Sequence, residues 1–538
     1  MKRVQILATA AIAAAIVIGV AAEAPAPKKD DAKPVEQLYS GKFFKSEESV
    51  TSGAVNGVSY KAIAGTLVVH PDDWNDSAQN GGPKNPEAKG DESSAEASIF
   101  FVYYAKDGAD PEKRPVTFVF NGGPGSATVW LHMGAWGPRR VVTAEDSHNH
   151  AAPYEVVDNE ESLLDASDLV FIDAPGTGFS RIAGKDKEKE FYGVDPDGAA
   201  FANFIQEFLA KYNRWNSPKY IFGESYGTPR AAVLVNDLET GKDIDVNGVI
   251  MLSQILNFDL SVDRPELNPG VDLPYQIALP TYAATAWYHK KLPGHPDPDI
   301  TRFVQSVERF AMGEYAQALS QGAGISKERK KAVAEKLHAF TGLPVWYILK
   351  ANLRIDGGEF EKTLLDEEGL STGRLDTRFS GITLNPLSEK SDYDPQSASI
   401  SSAYVSAFNA YVRSKLNFGQ GRQYVPSAGL FRSWDFRHKA PGAQFASRGA
   451  ANVMPDLANA MKQNPNLKIL LMGGYYDLAT PYYEGWYEMH HLQIPDSLQK
   501  NIQYHYYASG HMVYAHQQSL KEMHDAVAGF IEQTSNVK

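Results

Sequence analysis

The chain has 538 residues, 43% of them hydrophobic, a formal net charge of -13 and no cysteine. That length buries a large core and suits one big α/β domain with an insertion, or two ordinary domains. The acidic balance argues against a nucleic acid or an anionic membrane surface as partner, and the lack of cysteine removes disulfides, thiolate chemistry and Cys-ligated metals.

Taken in order, the chain starts with Lys2 and Arg3, an uncharged apolar run from Ile6 to Ala22, and the small residues Val20-Ala21-Ala22 before Glu23. This is the pattern of a secretory signal, expected over 1–22; a retained anchor is the alternative, but the run is short for a spanning helix. The Pro-, Lys- and Asp-rich stretch that follows reads as a disordered linker over 23–45. An exported chain without disulfides suits a bacterial periplasm or exterior, with no membrane contact once the signal is removed.

Val58–Val69 and Ala97–Tyr104 are β-rich runs, expected to pair antiparallel across a long polar loop. Val116–Phe120 is an apolar strand that runs into Asn121-Gly122-Gly123-Pro124-Gly125, where glycines let backbone N–H groups approach a substrate. Asp168–Ser180 repeats this grammar, and a helix from Asp195 places Phe201, Phe204, Ile205, Phe208 and Leu209 on one core-facing stripe. Strands at 219–223 and 246–252 follow. The alternation predicts a mostly parallel, doubly wound sheet flanked by helices.

From 258 to 433 the sheet grammar disappears. Helical pieces at 280–290, 301–320 and 327–340 suggest a mainly helical cap inserted between hydrolase segments 46–257 and 434–538. Strands return at 467–472 and 503–507, and a closing helix at 517–532 shows an apolar face.

The chemistry centres on Gly223-Glu224-Ser225-Tyr226-Gly227. This is a G-x-S-x-G elbow, in which small residues at both flanks let a serine sit on a tight strand-to-helix turn with its hydroxyl exposed. Asp477 and His511 each follow a strand end, in the chain order Ser, Asp, His. His511 would then act as the base for Ser225, and Asp477 would orient it. No H-E-x-x-H or comparable zinc spacing occurs, so neither metal nor cofactor is expected.

Five blocks, FNGGPGS (120–126), DAPGTGFS (173–180), GESYG (223–227), GGYYDLATP (473–481) and SGHMV (509–513), together resemble the serine carboxypeptidase family, peptidase family S10. The resemblance implies an α/β-hydrolase fold with a helical insertion and a secreted enzyme that releases C-terminal residues through an acyl-enzyme. Ser225, Asp477 and His511 match its triad. The backbone N–H groups of Gly123 and Tyr226 match its oxyanion hole, and Asn121, Gly122 and Glu224 match residues that hold the C-terminal carboxylate of a peptide substrate.

The resemblance further implies acidic working pH, because paired carboxyls must share a proton. Val119 replaces the usual tryptophan, Ser126 a frequent cysteine, and Ala135 stands where many members carry a second glutamate, which weakens that sharing. An esterase or acyltransferase using the same triad, and a non-catalytic binding protein on the same fold, are the alternatives. The oligomeric state is not legible.

Overall fold

The computed structural model describes residues 42–71 and 95–537, with the backbone of 74–75 and 80–81. The expected signal segment and most of the expected linker lie outside the described residues. At the end of that stretch, Lys42 and Phe43 donate their backbone N–H groups to the Glu96 carboxylate at 2.6 and 2.9 Å.

Nine strands form the spine: β1 (Glu47–Val55), β2 (Val58–Val69), β3 (Glu96–Lys106), β4 (Val116–Phe120), β5 (Asp168–Ile172), β6 (Lys219–Glu224), β7 (Gly248–Leu252), β8 (Lys468–Gly474) and β9 (Ile502–Tyr507). Their order is β1-β2-β3-β5-β4-β6-β7-β8-β9, and the short strand Arg181–Ala183 on β3 completes a ten-stranded sheet among the described residues. Pairings from β1 to β5 are antiparallel, and those from β5 through β9 are parallel. The expected antiparallel pair is β2 with β3; β1 was not anticipated, because its apolar and polar residues alternate too weakly to stand out.

Helices cover both faces, and side-chain alternation along each strand feeds two cores. Phe118, Phe120, Ile221, Val249 and Met251 pack with α1 (Val194–Lys211) and α2 (Gly227–Gly241). Val119, Tyr220, Phe222, Ile250 and Leu252 face the other way.

Between β7 and β8 run α3 (Leu273–Tyr288), α4 (Ile300–Phe310), α5 (Lys327–Thr341) and α6 (Pro395–Ser414). α3 starts a full two turns before the expected piece at 280, with Pro280 inside it, and the 20-residue α6 was missed altogether. Many small and hydroxyl residues in α6 blur its apolar stripe. After it come α7 (Met454–Gln463), α8 (Tyr482–His490) and α9 (Gln517–Thr534), and Leu520, Met523, Val527 and Phe530 of α9 join the second core. A third core, including Tyr282, Val307, Leu337 and Phe360, ties the inserted helices to Tyr475, Tyr476 and Tyr482 just past β8. This is an α/β-hydrolase fold, and its loops at the carboxyl ends of the parallel strands converge, as such sheets require of a ligand site.

Candidate active site

Ser225 occupies a left-handed backbone position, φ +60°, between β6 and α2. For a residue with a side chain this conformation is strained and persists only where the surroundings enforce it. Two glycines do so. A Cβ on Gly223 would lie 2.2 Å from the Gly227 carbonyl oxygen, and one on Gly122 would lie 2.3 Å from the Tyr226 nitrogen. The glycine turn after β4 is therefore pressed directly against the elbow.

The backbone N–H groups of Gly123 and Tyr226 have no acceptor among the described residues, and the Tyr226 nitrogen lies against Gly122 at this junction. Two free donors beside a serine are the arrangement needed where negative charge develops on a carbonyl oxygen.

His511 follows β9 and is 4% exposed; Asp477 follows β8 and is fully buried. His511 Nδ1–H donates to Asp477 Oδ2 at 2.8 Å, the tautomer that a carboxylate partner selects. Asp477 also accepts from the Ala479 and Thr480 N–H groups at 2.9 and 3.0 Å and from the Thr480 hydroxyl at 2.9 Å. Burial opposes the charge of His511, but the Asp477 carboxylate beside it wins and its pKa stands above the ordinary value.

Both Ser225 and His511 are tied to the end of β7: Ser225 N–H donates to Leu252 O at 3.0 Å, and the next hydroxyl, Ser253 Oγ, donates to His511 O at 2.8 Å. Among the described residues no hydrogen bond joins Ser225 Oγ to His511 Nε2. Such bonds are often long without substrate and tighten in the complex.

Glu224 and Asn121 meet beside the elbow. Asn121 Nδ2 donates to Glu224 Oε2 at 2.9 Å, while Asn121 Oδ1 accepts from Leu131 N–H at 3.1 Å, which fixes the amide's orientation. Gly122 serves close approach of backbone. The second partner of Glu224 is the Tyr514 hydroxyl, 2.9 Å from Oε2 and 3.2 Å from Oε1, and not a second acid. Burial is the main reason the Glu224 carboxyl is pushed up to about 7.

Sequence reasoning missed several supports. Asp173 accepts from Thr128 N–H at 2.8 Å and Tyr424 OH at 3.3 Å, bracing the loop after the glycine turn; its place just past β5 in the DAPG block was the available signal. Segment 374–378, from the inserted region, is wedged between the loops carrying Asp477 and His511. Leu478 N–H donates to Arg374 O at 3.1 Å, Thr377 N–H to Tyr476 O at 2.9 Å, and His511 N–H to Leu375 O at 2.7 Å. Nothing in the local sequence of that segment announces this.

Fold and site together define the α/β-hydrolase class of fold, with a serine on the elbow after β6. The chain belongs to the serine carboxypeptidase family, whose profile matches residues 90–538. It is similar to Serine carboxypeptidase-like 9 of Arabidopsis thaliana, 26% identical over 28% of this chain and 34% of that one. Pheromone-processing carboxypeptidase KEX1 of Phytophthora infestans is 30% identical over 23% of this chain and 21% of its own, and Serine carboxypeptidase-like 17 of Arabidopsis thaliana 23% over 34% and 40%. The matches thus span between 21% and 40% of the lengths of these relatives.

Proposed function

We propose that this protein is a secreted serine carboxypeptidase that removes C-terminal residues from peptides. The observation that carries this reading is the His511–Asp477 pair behind a strained serine elbow that is flanked by two unpartnered backbone N–H groups and a buried Asn121–Glu224 pair. Family membership supports the reaction class, and the charged and apolar pattern of residues 2–22 supports export to a periplasm or exterior.

In this mechanism His511 Nε2 takes the Ser225 hydroxyl proton as Oγ attacks the scissile carbonyl carbon. The carbonyl oxygen becomes an oxyanion held by the N–H groups of Gly123 and Tyr226, and Asp477 stabilises the imidazolium. The intermediate collapses by breaking the C–N bond, with the proton passing from His511 to the leaving amine. Water then gives a proton to His511 and its oxygen to the acyl carbon, which frees the shortened peptide and restores Ser225. Asn121, Gly122 and Glu224 hold the terminal carboxylate. A protonated Glu224 can donate to that anion whereas an ionised one repels it, so activity is favoured on the acidic side.

A second reading, an esterase or acyltransferase with the same triad, is favoured by Ala135, which leaves Glu224 without a facing acid. Mass spectrometry of a peptide pool incubated between about pH 4 and 8, where carboxyl and imidazole groups titrate, separates the two. Stepwise loss of single C-terminal residues, much slower when the terminus is amidated, is expected. Equal cleavage of acid and amide, or ester hydrolysis without peptide trimming, would sink the carboxypeptidase reading.

A further inference from the structure

We propose that Tyr514 is the positioning residue for terminus recognition: by donating its hydroxyl to Glu224 beside the Asn121 amide, it sets the pH at which Glu224 stops accepting a peptide's terminal carboxylate. This rests on the carboxypeptidase reading above.

Glu224 is 2% exposed and Tyr514 3%, so neither finds its partner in solvent. Asn121 Nδ2 and Tyr514 OH both converge on Oε2, each at 2.9 Å, which leaves Oε1 with the longer 3.2 Å contact alone. The proton of the neutral acid then belongs on Oε1, from which it donates to an anionic oxygen as a charge-assisted bond. Ionisation of Glu224 removes that donor and puts a negative charge opposite the substrate's own.

The titratable groups facing Glu224 are His511 and Asp477 from the loops after β9 and β8, Tyr514 from the turn after His511, and Tyr404 from α6. Among the described residues no lysine or arginine pairs with Glu224. The charge of its ionised form is met by hydrogen-bond donors and by His511 when protonated, so removal of one donor is felt directly. Because a hydroxyl that donates to a carboxylate favours the ionised form, Tyr514 lowers the pH of proton loss.

The ring is held for this purpose by Gly134. A Cβ there would lie 2.7 Å from Tyr514 Cδ2 and 2.7 Å from Tyr404 Cε1, so any side chain at 134 displaces the pair. Tyr514 also sits three residues after His511, on the short turn Val513–Ala515 that directly follows the loop of the base.

The test measures kcat/KM against pH for an N-blocked dipeptide with a free carboxylate and for its amide. In the wild type the acid substrate should show an alkaline fall that the amide lacks. Tyr514→Phe should move that fall upward by about one pH unit, the size expected when a bond to a charged group is lost, while the amide profile keeps its position. Incorporation of 3-fluorotyrosine at 514, a stronger donor of the same shape, should move it downward and decides the matter even if the phenylalanine variant does not fold. In a Glu224→Gln background, Tyr514→Phe should produce no further shift. A wild type that discriminates acid from amide, but whose fall stays put in both Tyr514 variants, overturns the role of Tyr514 alone. A wild type that treats acid and amide alike overturns the carboxylate reading and this inference with it.

Discussion

Arg230 Nη1 donates to the carbonyl oxygen of Asn121 at 2.7 Å, binding the helix behind the serine to the glycine turn in front of it. Its Nε donates to Asp197 Oδ2 at 2.6 Å, both side chains are completely buried, and the guanidinium lies over the rings of Phe201 and Tyr226 at 4.4 and 5.5 Å. Arg230→Met should cost about 3–5 kcal/mol, the penalty for stranding a buried Asp197 charge. Adding Asp197→Asn should recover most of that in urea unfolding while covalent labelling of Ser225 by a fluorophosphonate stays slow, because the Asn121 anchor is still missing. Recovery of both together would mean that Arg230 serves stability alone.

Gly122→Ala tests the contact between turn and elbow. The added carbon would fall 2.3 Å from Tyr226 N and 2.5 Å from Gly227 N, both backbone atoms that cannot swing away. The oxyanion donors must separate, and kcat/KM should drop at least about 10²- to 10³-fold, the cost of losing one such donor. Wild-type turnover in a folded Gly122→Ala protein would show that these amides are not used.

Asp477→Asn keeps the shape of the site but offers an amide to His511, whose Nδ1 then loses the acceptor that fixes its tautomer. A fall in kcat of about 10⁴ is expected, with little change in thermal stability beyond that of a buried hydrogen bond. Stopped-flow release of a chromogenic leaving group gives the number; a drop below tenfold would remove Asp477 from the triad.

Stability should decline as pH rises from about 5 to 9, the reverse of what salt-bridged carboxylates produce. Burial pushes Asp173, Glu224 and Glu488 up to about 7 and Glu239 up to about 8, and raises Glu361 and Glu484 well above the carboxylate range. Above the ordinary values of 3.8 and 4.5 an unfolded chain has released these protons while the folded one still holds them, so each unit of rising pH favours unfolding. His438 adds to this. Burial opposes its charge, but Asp195 and Asp456, at 2.5 and 2.7 Å, hold it protonated up to about 9, a stabilisation present below 6.5 and lost through 9. His132, kept neutral down to about 3 by burial, acts in the opposite sense below 6.5 but is outnumbered. Differential scanning calorimetry should show Tm several degrees lower at pH 8.5 than at pH 5.5; a rising Tm over that interval would contradict it.

Much of the site could be read from one dimension because its chemistry is locally encoded. An elbow needs Gly223 and Gly227 beside Ser225, an oxyanion turn needs consecutive glycines after a strand, and Asp477 and His511 each announce themselves just past an apolar run. The parallel core was legible for the same reason: fully buried strands must be continuous apolar runs, and α1 and α9 show their stripes. The edge strand β1 and the helix α6 were not, since one is half exposed and the other is rich in small and hydroxyl residues, so neither carries a strong period.

Tertiary structure decided what stands opposite what. The sequence shows Ala135 and the lack of a second acid, but nothing in SGHMVYAH says that the Tyr514 hydroxyl reaches Glu224, 290 residues away in the chain. Nor does it say that segment 374–378 braces the loops of Asp477 and His511, or that Arg230 grips Asn121. Local spacing fixes the conformation of each loop through backbone sterics and glycine placement. The pairing of buried polar groups across the site depends on long-range packing, because each buried group takes whichever partner the folded sheet ends bring within 3 Å or so.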